Sequence, residues 1–152
     1  MSATEIRTWS VYLSGEIHTN WREEVRRRAE DAGLPLSITG PVLDHGASDM
    51  CGVQILGEEE SSFWRDRKGA GINAIRTSTA IRRADVVVVR FGPKYRQWNA
   101  AFDAGYAAAL AKPIITLHDE EFDHALKEVD AAAKATARTP EQVVEILKYV
   151  LA

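Results

Sequence analysis

Residues 84–117 read ADVVVVRFGPKYRQWNAAFDAGYAAALAKPIITL, and the order of patterns within them decides the fold. Val86 to Val89 is an unbroken β-branched run behind Asp85. Continuous rather than alternating hydrophobicity implies burial on both faces, as in a central strand of a parallel sheet. Gln97 to Ala111 is an alanine-rich helix. Pro113 to Leu117 is a second buried strand, whose proline takes the first position, where no ladder donor is lost. Strand, loop, helix, strand makes a βαβ unit, which belongs in a sheet covered on both sides.

The rest of the chain extends that unit. Arg7 to Leu13, closed by Ser14-Gly15, reads as a first strand. Thr19 or Asn20 can cap a helix in which Trp21, Val25 and Ala29 (or Ala32) recur at helical spacing with Arg26, Arg27 and Arg28 outside; Gly33 and Pro35 stop it. Leu36 to Thr39 is a short second strand. Residues 40–70 show no clear period and carry glycines at 40, 46, 52, 57 and 69. They are expected to form a long lid or binding loop, with a short helix at Ser61 to Arg67. Ile72, Ile75, Ala80 and Ile81 predict a helix over Gly71 to Arg83. Beyond the opening stretch, Glu121 to Ala132 is expected to be helical and Lys134 to Arg138 a fifth, edge strand. Thr139-Pro140-Glu141-Gln142 starts a last helix with a cap, an N1 proline and an acidic first turn. Five strands with right-handed crossovers predict an α/β, flavodoxin-like (Rossmann-like), doubly wound parallel sheet of order 2-1-3-4-5, in a single domain over 1–152.

The 152 residues can bury a core without staples. A net charge of −3 gives no reason to expect a nucleic acid polymer or an anionic membrane as partner. Cys51 is the sole cysteine, so no intramolecular disulfide forms. The opening MSATEIRTWS lacks an apolar leader core, and no run reaches membrane-span length. The expected location is cytoplasmic.

In doubly wound sheets ligands bind beyond the carboxyl ends of the strands, where the strand order reverses. Here that rule selects the turn Ser14 to His18, the loop Arg90 to Asn99, and the start of the following helix; Tyr12, Ser14 and Gly15 are candidate substrate contacts. On that helix Asn99, Asp103, Tyr106 and Leu110 share one face. Asp is a poor residue inside a helix, and Asp103 lies near the positive end of its dipole. Glu16 and His18 are candidates for proton handling. Tyr95 and Trp98 can stack on a base or sugar face, and Asn73 can hydrogen-bond one. Asp85 lies at the opposite pole and is expected to tie down the preceding turn. Asp44, His45, Asp49 and Cys51 match no metal-ligand spacing, and no dinucleotide fingerprint, Walker loop or nucleophile elbow is present, so neither a metal nor a cofactor is expected.

Three blocks carry a family resemblance: Val11 to Gly15, Ala84 to Val89, and Asp103-x-Gly105-Tyr106-Ala107-x-Ala109-x-x-Lys112-Pro113. They resemble the nucleoside 2-deoxyribosyltransferase superfamily, whose third block reads Glu-x-Gly-x-Ala-x-Ala-x-Gly-Lys-Pro and whose Glu attacks the sugar C1′ as the base departs. More narrowly, Phe91 to Asp103 resembles the YtoQ family, over nearly the whole chain. The resemblance implies that Asp103 occupies the nucleophile's position, in an enzyme acting at the N-glycosidic bond of a small nucleoside or nucleotide as a hydrolase or transferase. Tyr106 or Asn99 would orient the carboxylate. It also implies a homo-oligomer, for which the small residues of Ala100 to Ala111 offer a contact face. This chain departs from the superfamily pattern in having Asp for Glu, Ala111 for a glycine, bulky Tyr95, Arg96 and Trp98 before the helix, and Glu16 and His18 where nucleotide N-hydrolases carry a phosphate-binding segment. The competing reading is a non-catalytic nucleotide- or sugar-binding sensor on the same fold. A weaker third is an interaction protein using the small-residue helix.

Overall fold

The computed structural model describes residues 5–152; Met1 to Thr4, part of the stretch read for a leader, lie outside them. In chain order the elements are β1 (Trp9–Gly15), α1 (Trp21–Asp31), β2 (Leu36–Thr39), α2 (His45–Leu56), α3 (Ser62–Arg83), β3 (Val86–Arg90), α4 (Trp98–Ala109), β4 (Ile114–Leu117), a 3₁₀ turn (Glu120–Phe122), α5 (Lys127–Ala132), β5 (Ala135–Ala137) and α6 (Pro140–Leu151). The sheet has five strands in the order β2-β1-β3-β4-β5, all pairings parallel, as the continuous apolar runs require. The register sets Ser14 beside Val89 and Gly15 beside Arg90.

Strand alternation divides the core into two layers. Val11, Leu13, Val86, Val88, Ile115 and Leu117 face α1 and α6, where Trp21, Val25, Val143 and Leu147 meet them. Tyr12, Val87, Val89 and Ile114 face α3 and α4, against Ile81, Ala100, Ala104 and Ala107. The alanines let α4 lie close on the sheet. Ala100, Ala104 and Ala107 are therefore buried inside the chain, while the outer face of α4 carries exposed Trp98, Phe102, Gly105 and Ala109.

The expected loop over residues 40–70 is also corrected. It forms α2 and the first part of a 22-residue α3, packed as a helical hairpin. Asp44 caps α2 by accepting from the Ala47 amide at 2.9 Å, and Ser61 caps α3. The glycines that hid the hairpin are its contact surface. A Cβ on Gly52 would lie 2.5 Å from the Lys68 Cβ, and one on Gly69 would lie 2.9 Å from the Asp49 carbonyl oxygen. Near the C-terminus the expected helix Glu121 to Ala132 is broken into the 3₁₀ turn and the shorter α5. Asp85 takes the structural part expected of it, accepting from the Ser10 amide and from Arg7 at the amino pole of the sheet.

Candidate active site

The site is built where β1 ends. Gly15 has φ +106°, and a Cβ there would lie 2.1 Å from the Arg90 carbonyl oxygen, so only glycine lets the chain turn out of the sheet at this point. Ser14 is fully buried on the same side of the sheet as Tyr12. Across from them, α4 presents Asp103. Because Ala104 and Ala107 point into the core, Asp103 is carried at the edge of that buried face. The Ser14 hydroxyl donates to Asp103 Oδ2 at 2.6 Å, a length typical of a bond to a charged acceptor. Oδ1 accepts no hydrogen bond among the described residues. Burial pushes the Asp103 carboxyl up from the usual range, and the Ser14 bond offsets part of that.

Tyr12 lies beneath this pair. Its hydroxyl is sealed from solvent and has no hydrogen-bond partner of acceptable geometry. Burial raises its pKa; the Thr77 side chain and the Arg22 and Arg76 charges oppose that, while the nearby Asp103 charge reinforces it. An orphan hydroxyl in the core costs about 1–3 kcal/mol. Sealed at 1% exposure, this hydroxyl is out of a ligand's reach here.

Glu16 takes a different part from the proton-handling one expected. It is 2% exposed. Its carboxylate accepts from the amides of His18 and Thr19, from the Thr19 hydroxyl at 2.7 Å and from Arg90 Nε at 3.3 Å. Burial alone would raise its pKa, but these donors together hold it below the usual range. A carboxylate so satisfied is a poor proton donor; it anchors the turn. His18 is exposed at the mouth, with its ring 5.1 Å from that of Tyr95. Arg22 is a functional-looking residue that the sequence did not single out. It is 3% exposed, its guanidinium donates to the carbonyls of Leu13, Gly15 and Glu16, and burial lowers its pKa to about 10.

The remaining expected site residues are distributed as follows. Tyr95 and Trp98 are both more than 70% exposed, and Asn99 is exposed beside them. Tyr106 does not orient Asp103: its hydroxyl lies 3.4 Å from Arg82 Nη1. Asn73 is committed elsewhere, its amide donating to the carbonyls of Ser48 and Gly69 across the α2–α3 hairpin. Gln97, which the sequence left unmarked, holds the loop before α4 in shape. It accepts from the Gly92 amide at 3.0 Å and donates to the carbonyls of Lys94 and Tyr95, while Tyr95 itself sits at φ +62°.

Two other features lie outside this cluster. A cleft of about 700 Å³ follows the outer edge of β2 and is lined by Arg22, Arg26, Arg76 and Arg83, with no carboxylate in its wall. Arg22 in its wall donates to the carbonyls of Gly15 and Glu16, so the cleft reaches the turn after β1. Beyond β4, fully buried His118 contacts Asp130 at 2.9 Å, and Asp123 lies 3.8 Å from its Nδ1. These three could in principle ligate a cation. Arg138 already occupies that position, 2.6 Å from Asp123 and 3.5 Å from His118 Nδ1.

A family model described as nucleoside 2-deoxyribosyltransferase YtoQ matches residues 12–151, a span that runs from Tyr12 to the end of α6. The chain belongs to the YtoQ family. Over 140 residues it is 41% identical to the uncharacterized protein YtoQ of Bacillus subtilis (strain 168), covering 92% of this chain and 95% of that one. Among solved structures, a conserved protein of Enterococcus faecalis V583 superposes with a TM-score of 0.62 at 13% identity, over 95% of this chain and 99% of that one. A 2-deoxyribosyltransferase of Bacillus psychrosaccharolyticus gives a TM-score of 0.53 at 16% identity, over 89% and 90%. At such identities the likeness is one of fold. It places this YtoQ chain on the sheet order seen here. Among the described residues no helix is long and apolar enough to cross a membrane.

Proposed function

We propose that this protein acts at the N-glycosidic bond of a small nucleoside or nucleotide, with Asp103 as the carboxylate that meets the anomeric carbon. The observation that carries this is the partly buried Ser14–Asp103 hydrogen bond at the carboxyl end of β1, on the residue that stands where the resembled superfamily block has its Glu. Ser14 fixes Oδ2, leaving Oδ1 to approach the sugar. Attack forms a glycosyl ester as the C–N bond breaks and its electron pair leaves with the base, which takes up a proton. Water then completes hydrolysis, or a second base completes transfer. His18 with Tyr95 and Trp98 would form the wall that meets the base. Burial that raises the Asp103 pKa also makes its anion more reactive toward a developing positive charge.

The test is base release from a panel of nucleosides and nucleotides, followed by chromatography. Turnover in the wild type and its loss in Asp103→Asn support the reading, whereas equal turnover in both proteins removes Asp103 from the chemistry. A binding-only role is the alternative, favoured by the tethering of one Asp103 oxygen; an intact ligand carried through purification with no turnover across the panel would establish it. We also infer a cytoplasmic homo-oligomer. Exposed Trp98 and Phe102, one turn apart on α4, are its proposed contact.

A further inference from the structure

We propose that the arginine-lined cleft on the outer edge of β2 seats the phosphoryl group of the substrate, so that the protein acts on nucleotides in preference to nucleosides. This rests on the reading of Asp103 as the glycosidic carboxylate and names the substrate class of that same site.

Three observations converge. First, Arg22, Arg26, Arg76 and Arg83 come from two helices on opposite faces of the sheet to line one cleft, and none of them has an ion-pair partner among the described residues. The chain as a whole carries −3, so a local excess of four cations is not the spill-over of a basic protein. Like charges gathered without an anion repel one another, and an anionic ligand relieves this. Second, Arg22 is buried and spends three N–H groups on carbonyls. A guanidinium has five, and no carboxylate touches this one. Third, the turn between β1 and α1, a usual seat for a phosphate in such a fold, already holds an anion of its own. Glu16 occupies it as an internal anion, receiving the His18 and Thr19 amides, the Thr19 hydroxyl and Arg90. The cleft is a second place for a substrate anion, and it reaches the same end of β1 through Arg22, which lines it and donates to the Gly15 and Glu16 carbonyls. Its volume, about 700 Å³, lies in the range of small-molecule sites. Forked donors from several directions suit a tetrahedral phosphoryl group better than a planar carboxylate.

The test is calorimetric titration of the full chain with nucleoside 5′-monophosphates, the matching nucleosides, inorganic phosphate and pyrophosphate. Wild type, Asp103→Asn and the double variant Arg76→Gln/Arg83→Gln are compared; Arg76 and Arg83 are exposed, so folding tolerates their loss. At least one monophosphate is expected to bind about tenfold or more tightly than its nucleoside, as charge-assisted hydrogen bonds allow. Pyrophosphate is expected to compete with it, and higher salt to weaken it. The double variant is expected to bring monophosphate and nucleoside within about threefold of each other. Competition by inorganic phosphate as strong as that by the ester would mark a free-anion site and overturn the substrate assignment. So would equal affinity for ester and nucleoside, no binding of any phosphate compound, or a preference that survives in the double variant. Asp103→Asn separates the two readings: a phosphate preference retained while neither protein releases base leaves the cleft standing and sinks the chemistry at Asp103.

Discussion

Replacing Ser14 with alanine isolates the one hydrogen bond that favours ionised Asp103. In the native site burial raises the carboxyl pKa and Ser14 pulls it back. Without Ser14 only the upward push remains. A hydrogen bond to a charged group contributes about 1.5–3 kcal/mol, and one pKa unit corresponds to about 1.4 kcal/mol. A neutral carboxyl keeps part of the bond, and the carboxyl pKa is expected to rise further above the usual range. Carbon-detected NMR titration of the Asp103 carboxyl, assigned with Asp103→Asn, reads this directly and needs no substrate. The acid limb of kcat/KM for base release should move up by the same amount. Stability supplies an independent sign. Because the folded pKa lies above the unfolded one, stability is fully present below the usual carboxylate value and falls as pH rises through the folded value. Ser14→Ala widens that window, so its deficit against wild type should grow with pH, from about 0.5 kcal/mol in acid to about 2 kcal/mol at neutral pH. A carboxyl that titrates at or below the wild-type position, or a deficit that shrinks as pH rises, would refute the arrangement.

Glu16→Gln leaves Arg90 without its carboxylate and turns an amide NH₂ toward backbone donors; breaking a buried pair in this way costs about 3–5 kcal/mol, measurable by urea unfolding, and a loss below about 1 kcal/mol would deny its anchoring role. Because the folded Glu16 pKa is lowered, its contribution is present above the usual carboxylate value and lost as pH falls through the folded one, an acid limb that the variant should lack. Ala111 ends α4 at φ +55°, with the Lys112 amide on the Ala107 carbonyl and the Ala111 amide on that of Ala108, a geometry that glycine adopts freely; Ala111→Gly should stabilise by about 0.5–1 kcal/mol, and a loss of stability would contradict the assigned strain. Trp98→Ser/Phe102→Ser should shift any oligomer toward monomer in light scattering, and an unchanged mass would move the contact to another face.

How much of this was legible in the sequence depended on whether a pattern is local. The valine run of β3, the alanines of α4 and the start of α6 state their own environments, and from them the strand order follows. The α2–α3 hairpin was illegible because its signal is a contact between residues far apart. Gly52 and Gly69 look like loop residues until each is seen against the other helix, where a single methyl group would overlap Lys68 or Asp49. The site divides in the same way. Asp103 and Ser14 were selected separately by the carboxyl-end rule, and their bond needed the fold to become visible. Glu16 and Asn73 read in the sequence as polar residues near the right pole. Sequence could not show that their polar atoms were already satisfied by neighbouring amides and carbonyls. Arg22 went unnoticed because arginine on a helix reads as solvent-facing, and only the carbonyl ends of β1 explain its burial.

The shorter acid is best understood from the same bond. The pattern that the stretch resembles has Glu where this chain has Asp103. An aspartate has few torsions to fix, and a single contact to a buried serine on a central strand sets its position. Glutamate would add a methylene, carry the carboxylate about 1.5 Å further from the helix and pass Ser14. Asp103→Glu should therefore lose the Ser14 bond and misplace the attacking oxygen. A displacement of about 1 Å can cost about 10²-fold in rate, so the variant should be slower than wild type on its own substrate even though it restores the superfamily's residue. Paired kcat and KM measurements decide the matter: a fall in kcat with little change in KM is expected. An Asp103→Glu protein as active as the wild type would show that Ser14 does not set the reach of the carboxylate, and that the substrate is positioned by other contacts.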